Sequence, residues 1–272
     1  IMSNEIEKDI KFWGHNCFSI ISNDTLLITD PWFSKSGAFF GSWFQYPKNH
    51  HLAQHILNLM NEFNDVNIFI SHEHQDHYDK DFLSRIKKNI KILIPCYEDK
   101  FFKNDCESLG HTVIEIKDKE KVYLNKIFWV EAYMSHIGIN HDSALLIATN
   151  KFNFFNQNDC KIFDRLEEIR ETIDYYSVQF SGATWHPSNF ILSDKRKKEI
   201  SNQKATNKLN SVLSGINKLK PKYFLPAAGP AIFPYLVEDL SYGIDNIFIH
   251  QNYLNAYLRN NFVNNVLYLE PG

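Results

Sequence analysis

Three histidines and one aspartate fall within six residues, in His72-Glu73-His74-Gln75-Asp76-His77. Neutral imidazole and carboxylate groups are ligands that suit zinc, iron or manganese. Because alternate residues of an extended segment point the same way, His72 and His74 can share one metal. Asp76 and His77 then face a neighbouring position, where a second metal could sit. The spacing therefore predicts a site for one or two divalent metals.

A site of this kind also needs ligands from other parts of the chain. His136 follows a strand-like segment, and His141 precedes the next one. Each histidine belongs either to the metal site or to an ordinary surface turn. Asp159 is either a ligand or the N-cap of a predicted helix that starts at Ile162. The spacing alone leaves these alternatives open.

The elements that must position these residues are mixed α and β. The cluster directly follows the apolar run 66–70, which is typical of a buried strand. Further strands are predicted at 10–13, 17–21, 25–29, 92–94, 112–116, 121–124, 127–133, 144–148, 152–155, 175–180, 223–225, 247–249 and 266–268. Helices are predicted at 53–63, 80–88, 101–109, 162–172 and 195–220. Two mixed halves without a Pro/Gly/Ser linker predict one α/β domain over residues 1–272, with two mixed sheets face to face and helices outside.

Composition excludes several classes of protein. Apolar residues make up 44% of the chain and aromatic residues 15%, which is a globular composition. A net charge of -3 gives no attraction to nucleic acid, and no apolar run approaches the length of a membrane span. The N-terminus is polar, and the four cysteines form no C-x-x-C pair. We expect a cytoplasmic protein with reduced thiols and a small-molecule substrate, without a nucleic-acid or membrane partner.

Two further segments bear on the substrate. The basic run Lys195-Arg196-Lys197-Lys198 is either a solvated helix face or a site for a phosphate or nucleotide. The aromatic loop at 32–46 either walls a pocket or packs into the core.

Several segments resemble a known family. The cluster at 72–77 matches the H-x-H-x-D-H motif of the metallo-β-lactamase superfamily, and the chain is identified as a member of it. Within that superfamily the chain most resembles the catalytic part of CMP-N-acetylneuraminate hydroxylase and its bacterial relatives. The matching segments, in chain order, are Gly14-His15-Asn16-Cys17, Asp30-Pro31-Trp32, Phe39-Phe40-Gly41-Ser42-Trp43, Asn156-Gln157-Asn158-Asp159-Cys160, Gln179-Phe180-Ser181-Gly182-Ala183 and Leu225-Pro226-Ala227-Ala228-Gly229-Pro230.

The resemblance implies an αββα sandwich with the metals at one edge. It also implies the ligands, which are His72, His74 and His136 for the first metal, Asp76 and His77 for the second, and Asp159 as the bridge. The last histidine of the superfamily has no match, because segment 225–230 contains none. His186 or His250 would take its place, or the position has no histidine.

The leading hypothesis is a metal-dependent hydrolase that uses a metal-bound hydroxide on a phosphorylated or acylated metabolite. Asp76 or Asp159 would orient the nucleophile, and His141 or His136 would protonate the leaving group. The alternative is an iron-dependent monooxygenase of a nucleotide sugar or related metabolite. The chain has no C-x-H and C-x-x-H pair for a Rieske cluster, so that reaction would need a separate Rieske or ferredoxin partner. A non-catalytic binding domain is the third reading, and the complete metal motif argues against it.

Overall fold

The strands of the first sheet lie side by side in the order in which they occur along the chain. The computed structural model describes residues 8–136, 142–230, 233 and 247–272. These strands are β1 (Ile10–Gly14), β2 (Cys17–Ser22), β3 (Thr25–Thr29), β4 (Asp65–Phe69), β5 (Lys91–Pro95) and β6 (Thr112–Ile116). The first three are antiparallel, and β3 to β6 run parallel. Parallel neighbours need crossover connections. The crossovers contain α1 (Ala53–Asn61), α2 (Lys80–Ser84) and α3 (Phe101–Glu107).

The second sheet has the order β12-β11-β10-β9-β8-β7. Its strands are β7 (Lys121–Asn125), β8 (Phe128–Met134), β9 (Ser143–Ala148), β10 (Asn153–Asn156), β11 (Tyr175–Gln179) and β12 (Tyr223–Ala227). The strands from β7 to β10 are antiparallel, whereas β10, β11 and β12 run parallel. Two helices belong to this half, α4 (Asp194–Leu219) and α5 (Gln251–Asn260).

Alternation along the strands divides the core into layers. On β3, Leu27 faces the second sheet, whereas Leu26 and Ile28 face the layer that contains α1. Leu145 on β9 meets the same inner layer as Leu27. Burying one such leucine contributes about 1.5–3 kcal/mol. With α4 and α5 covering the outer face of the second sheet, the layers form the predicted αββα sandwich.

Three predicted elements differ from the structure in type, and the predicted helix 80–88 covers only Lys80–Ser84. The predicted helix 162–172 is only a 3-10 turn at Leu166–Glu168, because the nearly buried Arg165 ties this segment to Asp118 and to the carbonyl oxygen of Met134. The predicted strand 247–249 is buried but forms no strand. The prediction relied on the apolar side chains of this segment. They are buried in the core, but the backbone does not pair with a strand. The segment 266–268 adds only a bridge from Val266 to Phe224.

Helix α5 was not predicted at all, although Leu254 and Leu258 have helical spacing and are fully buried. Among the described residues, no helix is both long and apolar enough to cross a membrane.

Candidate metal centre

The candidate centre lies where a loop from the first sheet meets a loop from the second sheet. The segment 72–77 leaves the end of β4, and Asp159 follows the end of β10. Ser143, at the start of β9, donates from its hydroxyl to the carbonyl oxygen of Ser71 at 2.8 Å. This bond ties the second sheet to the loop that carries the histidines. His77 Nε2 consequently lies 3.3 Å from Asp159 Oδ2.

The converging ligand atoms form two overlapping sets, and only His15 among them was not predicted as a ligand. His72, His77 and Asp159 place one ligand atom each within 4.8 Å of one another, and so do His15, Asp76 and His77. His77 Nε2 also lies 3.4 Å from Asp76 Oδ2. These distances leave room for a cation between the side chains.

His74 adjoins the first set, because its Nδ1 lies 2.9 Å from His72 Nε2. The structure therefore brings together His72, His74, Asp76, His77 and Asp159, five of the six ligands predicted from sequence.

Buried polar atoms without partners mark the centre of the cluster. Asp76 Oδ1, His77 Nε2 and Asp159 Oδ1 have no hydrogen-bond partner in the described part of the chain. His77 is fully buried, and leaving such an atom unsatisfied costs about 1–3 kcal/mol. A divalent cation satisfies carboxylate oxygens and an imidazole nitrogen together. The residues therefore fit a metal.

Asp30 holds the cluster from behind. Its carboxylate is fully buried and accepts hydrogen bonds from the Asn16 amide at 2.7 Å, the Ser71 backbone N–H at 2.7 Å and the Ser71 hydroxyl at 2.6 Å. The same carboxylate lies 2.7 Å from His77 Nδ1. When Nδ1 carries its proton toward Asp30, Nε2 faces the cluster as a free ligand atom.

Electrostatics couples His77 to the carboxylates around it. Burial lowers the pKa of His77, but Asp76, Asp159 and Asp30 outweigh burial and hold that pKa well above its ordinary value. Burial likewise raises the pKa of Asp76, and His77 and His15 outweigh it, so that the pKa of Asp76 is well below its usual range. The pKa of Asp159 is lowered because His77 outweighs burial there too. Without metal, a proton on His77 balances these anions, and a bound cation would replace it.

His72 behaves differently from His77. Burial, with His77 adding to it, lowers the pKa of His72 to about 3. His72 is therefore neutral at physiological pH, which is the protonation state that binds a metal.

Asp142 is a site residue that the sequence did not indicate. Its Oδ1 lies 3.3 Å from His72 Nδ1, and burial, reinforced by Asp159, raises its pKa well above the ordinary value. It directly precedes β9, so only the fold brings it to the cluster.

The remaining predicted histidines are not in the cluster. The side chain of His136 is 65% exposed, and its Nε2 lies 3.2 Å from Arg165 Nη1, away from both ligand sets. His141 lies outside the described residues. His186 contacts Lys204, and His250 caps α5 by accepting from the Asn252 N–H. The described geometry therefore gives no support to a ligand role for His136, His186 or His250.

The aromatic loop serves both of its predicted roles. Trp32 and Phe33 are buried in the core, whereas Phe40 is fully exposed. A cleft of about 840 Å³ lies beside the metal loop, lined in part by Trp32, Phe40, Glu73 and Gln75. The loop therefore packs at its start and borders a cleft further along.

With this geometry in place, comparison with known proteins defines the family. The family model described as the β-lactamase superfamily domain matches residues 9–151, more than half of the 272 residues. The chain therefore belongs to the β-lactamase superfamily, as its metal motif predicted.

A protein of Mycolicibacterium smegmatis, named as a Rieske 2Fe-2S iron-sulfur protein, is 28% identical to this chain over 231 residues. The match covers 81% of this chain and 43% of the relative. The matched region thus spans less than half the length of that relative.

Two solved structures show the fold. An isothiocyanate hydrolase from Delia radicum gut bacteria has a TM-score of 0.64 at 11% identity, covering 97% of this chain and 97% of that one. A variant of the CmlA β-hydroxylase has a TM-score of 0.60 at 14% identity, covering 97% of this chain and 53% of that one. The same fold therefore occurs in a hydrolase and in a hydroxylase.

Proposed function

We propose that this protein is a metal-dependent hydrolase of a phosphorylated or acylated small metabolite. The observation that carries the proposal is the convergence of buried, unpartnered ligand atoms from both sheets, on Asp76, His77 and Asp159. A divalent metal held there would polarise a substrate oxygen and lower the pKa of water from 15.7 toward about 7.

The protein's own groups have the following proposed roles. Asp76 and Asp159 border the proposed metal position, so either carboxylate can accept a hydrogen bond from the attacking water and orient it. His141 is the proposed donor of a proton to the leaving group. Burial of the cluster excludes bulk water, which strengthens these interactions.

A lysine beside the cluster, Lys208, is an argument for an anionic substrate. Lys208 on α4 donates to Gln179 Oε1 at 2.6 Å, and the Gln179 N–H donates to the carbonyl oxygen of Asn158, next to Asp159. Burial lowers the pKa of Lys208 to about 8, although Asp159 opposes that effect. A half-buried ammonium group beside the cluster suits a phosphate or carboxylate on the substrate. The basic run 195–198 lies at the N-terminal end of α4, and a phosphate role for it stays a prediction.

A second candidate is an iron-dependent oxygenase. It is favoured by the mycobacterial relative, which is named as a Rieske protein and extends well beyond the matched region. In that case the electrons would come from a separate Rieske or ferredoxin partner, and the substrate would be a nucleotide sugar or related metabolite. Imidazole and carboxylate ligands also hold iron.

Metal content and two activity assays separate the candidates. The protein is purified without added metal, and zinc, iron and manganese are measured by elemental analysis. Hydrolysis of bis-p-nitrophenyl phosphate and p-nitrophenyl acetate is then compared with oxygen consumption in the presence of a reduced ferredoxin. The matched variants are His72→Ala and Asp76→Ala, with His55→Ala on the exposed face of α1 as the control.

The hydrolase proposal expects metal-dependent hydrolysis that both site variants abolish and His55→Ala retains. Two irons per chain with oxygen uptake, and no hydrolysis, would replace it with the oxygenase. Unchanged metal content in His72→Ala and Asp76→Ala would remove the metalloenzyme claim altogether.

A further inference from the structure

His15 is a buried imidazole in the cluster that the sequence motif does not include. It lies in the turn between β1 and β2 and is 6% exposed. Its Nε2 is 3.1 Å from Asp76 Oδ2, and its ring contacts the rings of His77 and Trp32 edge-on. Together with Asp76 and His77 it forms one of the two sets of converging ligand atoms.

The chain fixes His15 there at a conformational cost. His15 has a φ of +52°, in the left-handed region that few residues other than glycine adopt. The preceding Gly14 has a φ of +115°, and a side chain there would collide with Asn49. A tight turn held in this way aims the imidazole inward, and strained residues of this kind concentrate at functional sites.

The turn that carries His15 also contacts the segment in which the last histidine of the superfamily has no match. The start of the loop after β12, residues 228–230, contains no histidine, although the resemblance to the superfamily leads one to expect it there. The Ala228 N–H in that loop donates to the carbonyl oxygen of His15 at 2.8 Å. The β1–β2 turn and the start of the loop after β12 are therefore joined, and His15 supplies an imidazole beside a segment that has none.

We infer that His15 Nε2 is the terminal ligand of the second metal, completing a set with Asp76, His77 and the bridging Asp159. The inference rests on the proposed metalloenzyme function and adds a ligand to it. It accounts for a second binding position that does not use His186 or His250, which contact other residues.

The rival explanation is that His15 only donates a hydrogen bond that orients Asp76. His15→Gln distinguishes the two, because a glutamine N–H can still donate to the carboxylate but is a poor ligand for zinc or cobalt. His15→Asn is the second variant, since asparagine tolerates the left-handed turn. His55→Gln, exposed on α1, is the matched control.

The measurements are the cobalt-to-protein ratio after dialysis and the affinity for each cobalt ion by chelator competition. We expect two ions per chain in the unaltered protein and in His55→Gln, and one in both His15 variants. The affinity for the second ion should fall by more than about 100-fold, beyond the 10–100-fold typical of an orienting partner. Melting curves establish that each variant is folded.

Two ions bound with unchanged affinity in His15→Gln would overturn the ligand assignment and leave the metalloenzyme proposal standing. An unaltered protein that binds no ion would sink both. Anomalous scattering from cobalt-loaded crystals gives an answer even if the variants do not fold. A second peak about 2.1 Å from His15 Nε2 supports the inference, and a peak away from it rules the inference out.

Discussion

Asp30 is the residue on which the geometry of His77 most depends. Its carboxylate lies 2.7 Å from His77 Nδ1 and receives three further hydrogen bonds from Asn16 and Ser71. Asp30→Asn keeps the shape but replaces one acceptor oxygen with a donor. Because partners of this kind fix the tautomer of a ligand histidine, we expect metal affinity to fall by roughly 10–100-fold.

Chelator competition measures this effect. Asp24→Asn is the matched control, since Asp24 is exposed in the turn between β2 and β3. Equal affinity in Asp30→Asn and the control would show that His77 is oriented without Asp30.

His72 gives the metal-free protein a dependence on pH. The pKa of His72 is lowered from 6.5 to about 3 in the folded state, chiefly by burial. Between these values the unfolded chain binds a proton at His72 that the folded chain does not, so stability falls as the pH falls. The slope reaches about 1.4 kcal/mol per pH unit for one proton. His72→Asn removes that proton uptake.

Urea unfolding at pH 6.5 and about pH 5 tests this, with His55→Asn as the control. We expect His72→Asn to lose less stability on acidification than the unaltered protein, and the control to lose the same amount. Parallel losses in all three proteins would show that His72 is not held neutral by the fold.

The candidate metal ligands that the sequence indicates most directly stand close together in the chain. His72, His74, Asp76 and His77 follow one strand, so their spacing shows that they can converge. His15 and Asp142 are brought in by long-range contacts, and the spacing of isolated residues carries no signal for such contacts. The local features that point to His15 are the glycine before it and the match of Gly14-His15-Asn16-Cys17 to the family, but neither assigns it a ligand role. His136 was proposed from its position at a strand end, but strand ends do not determine which way a side chain turns.

At the scale of elements, α4 packs against β11 through a glycine, Gly215, which lies next to Tyr176. A methyl group on Gly215 would overlap the hydroxyl of Tyr176, which donates to Gln157 Oε1 at 2.6 Å. Alanine favours a helix by about 1 kcal/mol over glycine, but overpacking typically costs about 1–3 kcal/mol. Since Gly215→Ala also disturbs a buried hydrogen bond, we expect a net destabilisation of about 1–2 kcal/mol.

Urea unfolding checks the sign. Asn202→Ala, at an exposed position of α4, should instead stabilise by about 0.5 kcal/mol through helix propensity. In a double-mutant cycle, Tyr176→Phe should reduce the cost of Gly215→Ala. If the single variant Gly215→Ala were instead more stable, α4 would be able to shift away from β11 without a cost in free energy.

The fold class was predictable because strand and helix patterns alternate in two similar halves. The boundaries failed where tertiary contacts overrode local pattern. The apolar spacing of Ile162, Leu166 and Ile169 suits a helix, yet the ion pairs of Arg165 hold that segment in a single 3-10 turn. Segment 247–249 is apolar because it is buried, and burial alone does not distinguish a strand from an extended connection.

At the scale of the whole molecule, the candidate centre joins the two halves of the sandwich. His72 to His77 come from the first sheet, and Asp159 comes from the second. A bound metal therefore links loops that the unfolded chain keeps far apart. Because the site is assembled only by folding, metal affinity is coupled to the stability of the entire fold.

This coupling predicts that metal stabilises the protein in proportion to its occupancy. At free metal about 100-fold above the dissociation constant, the stability gain is about 2.7 kcal/mol, provided that the unfolded chain binds weakly. The gain corresponds to a rise of several degrees in melting temperature for a domain of this size. Calorimetry with zinc or ferrous ion, before and after chelation, measures the rise. Asp159→Asn keeps the side-chain shape but removes the charge that links the sheets, so its melting temperature should move much less. An equal rise in both proteins would assign the stabilisation to metal bound elsewhere on the surface, and the two sheets would then not share a cation.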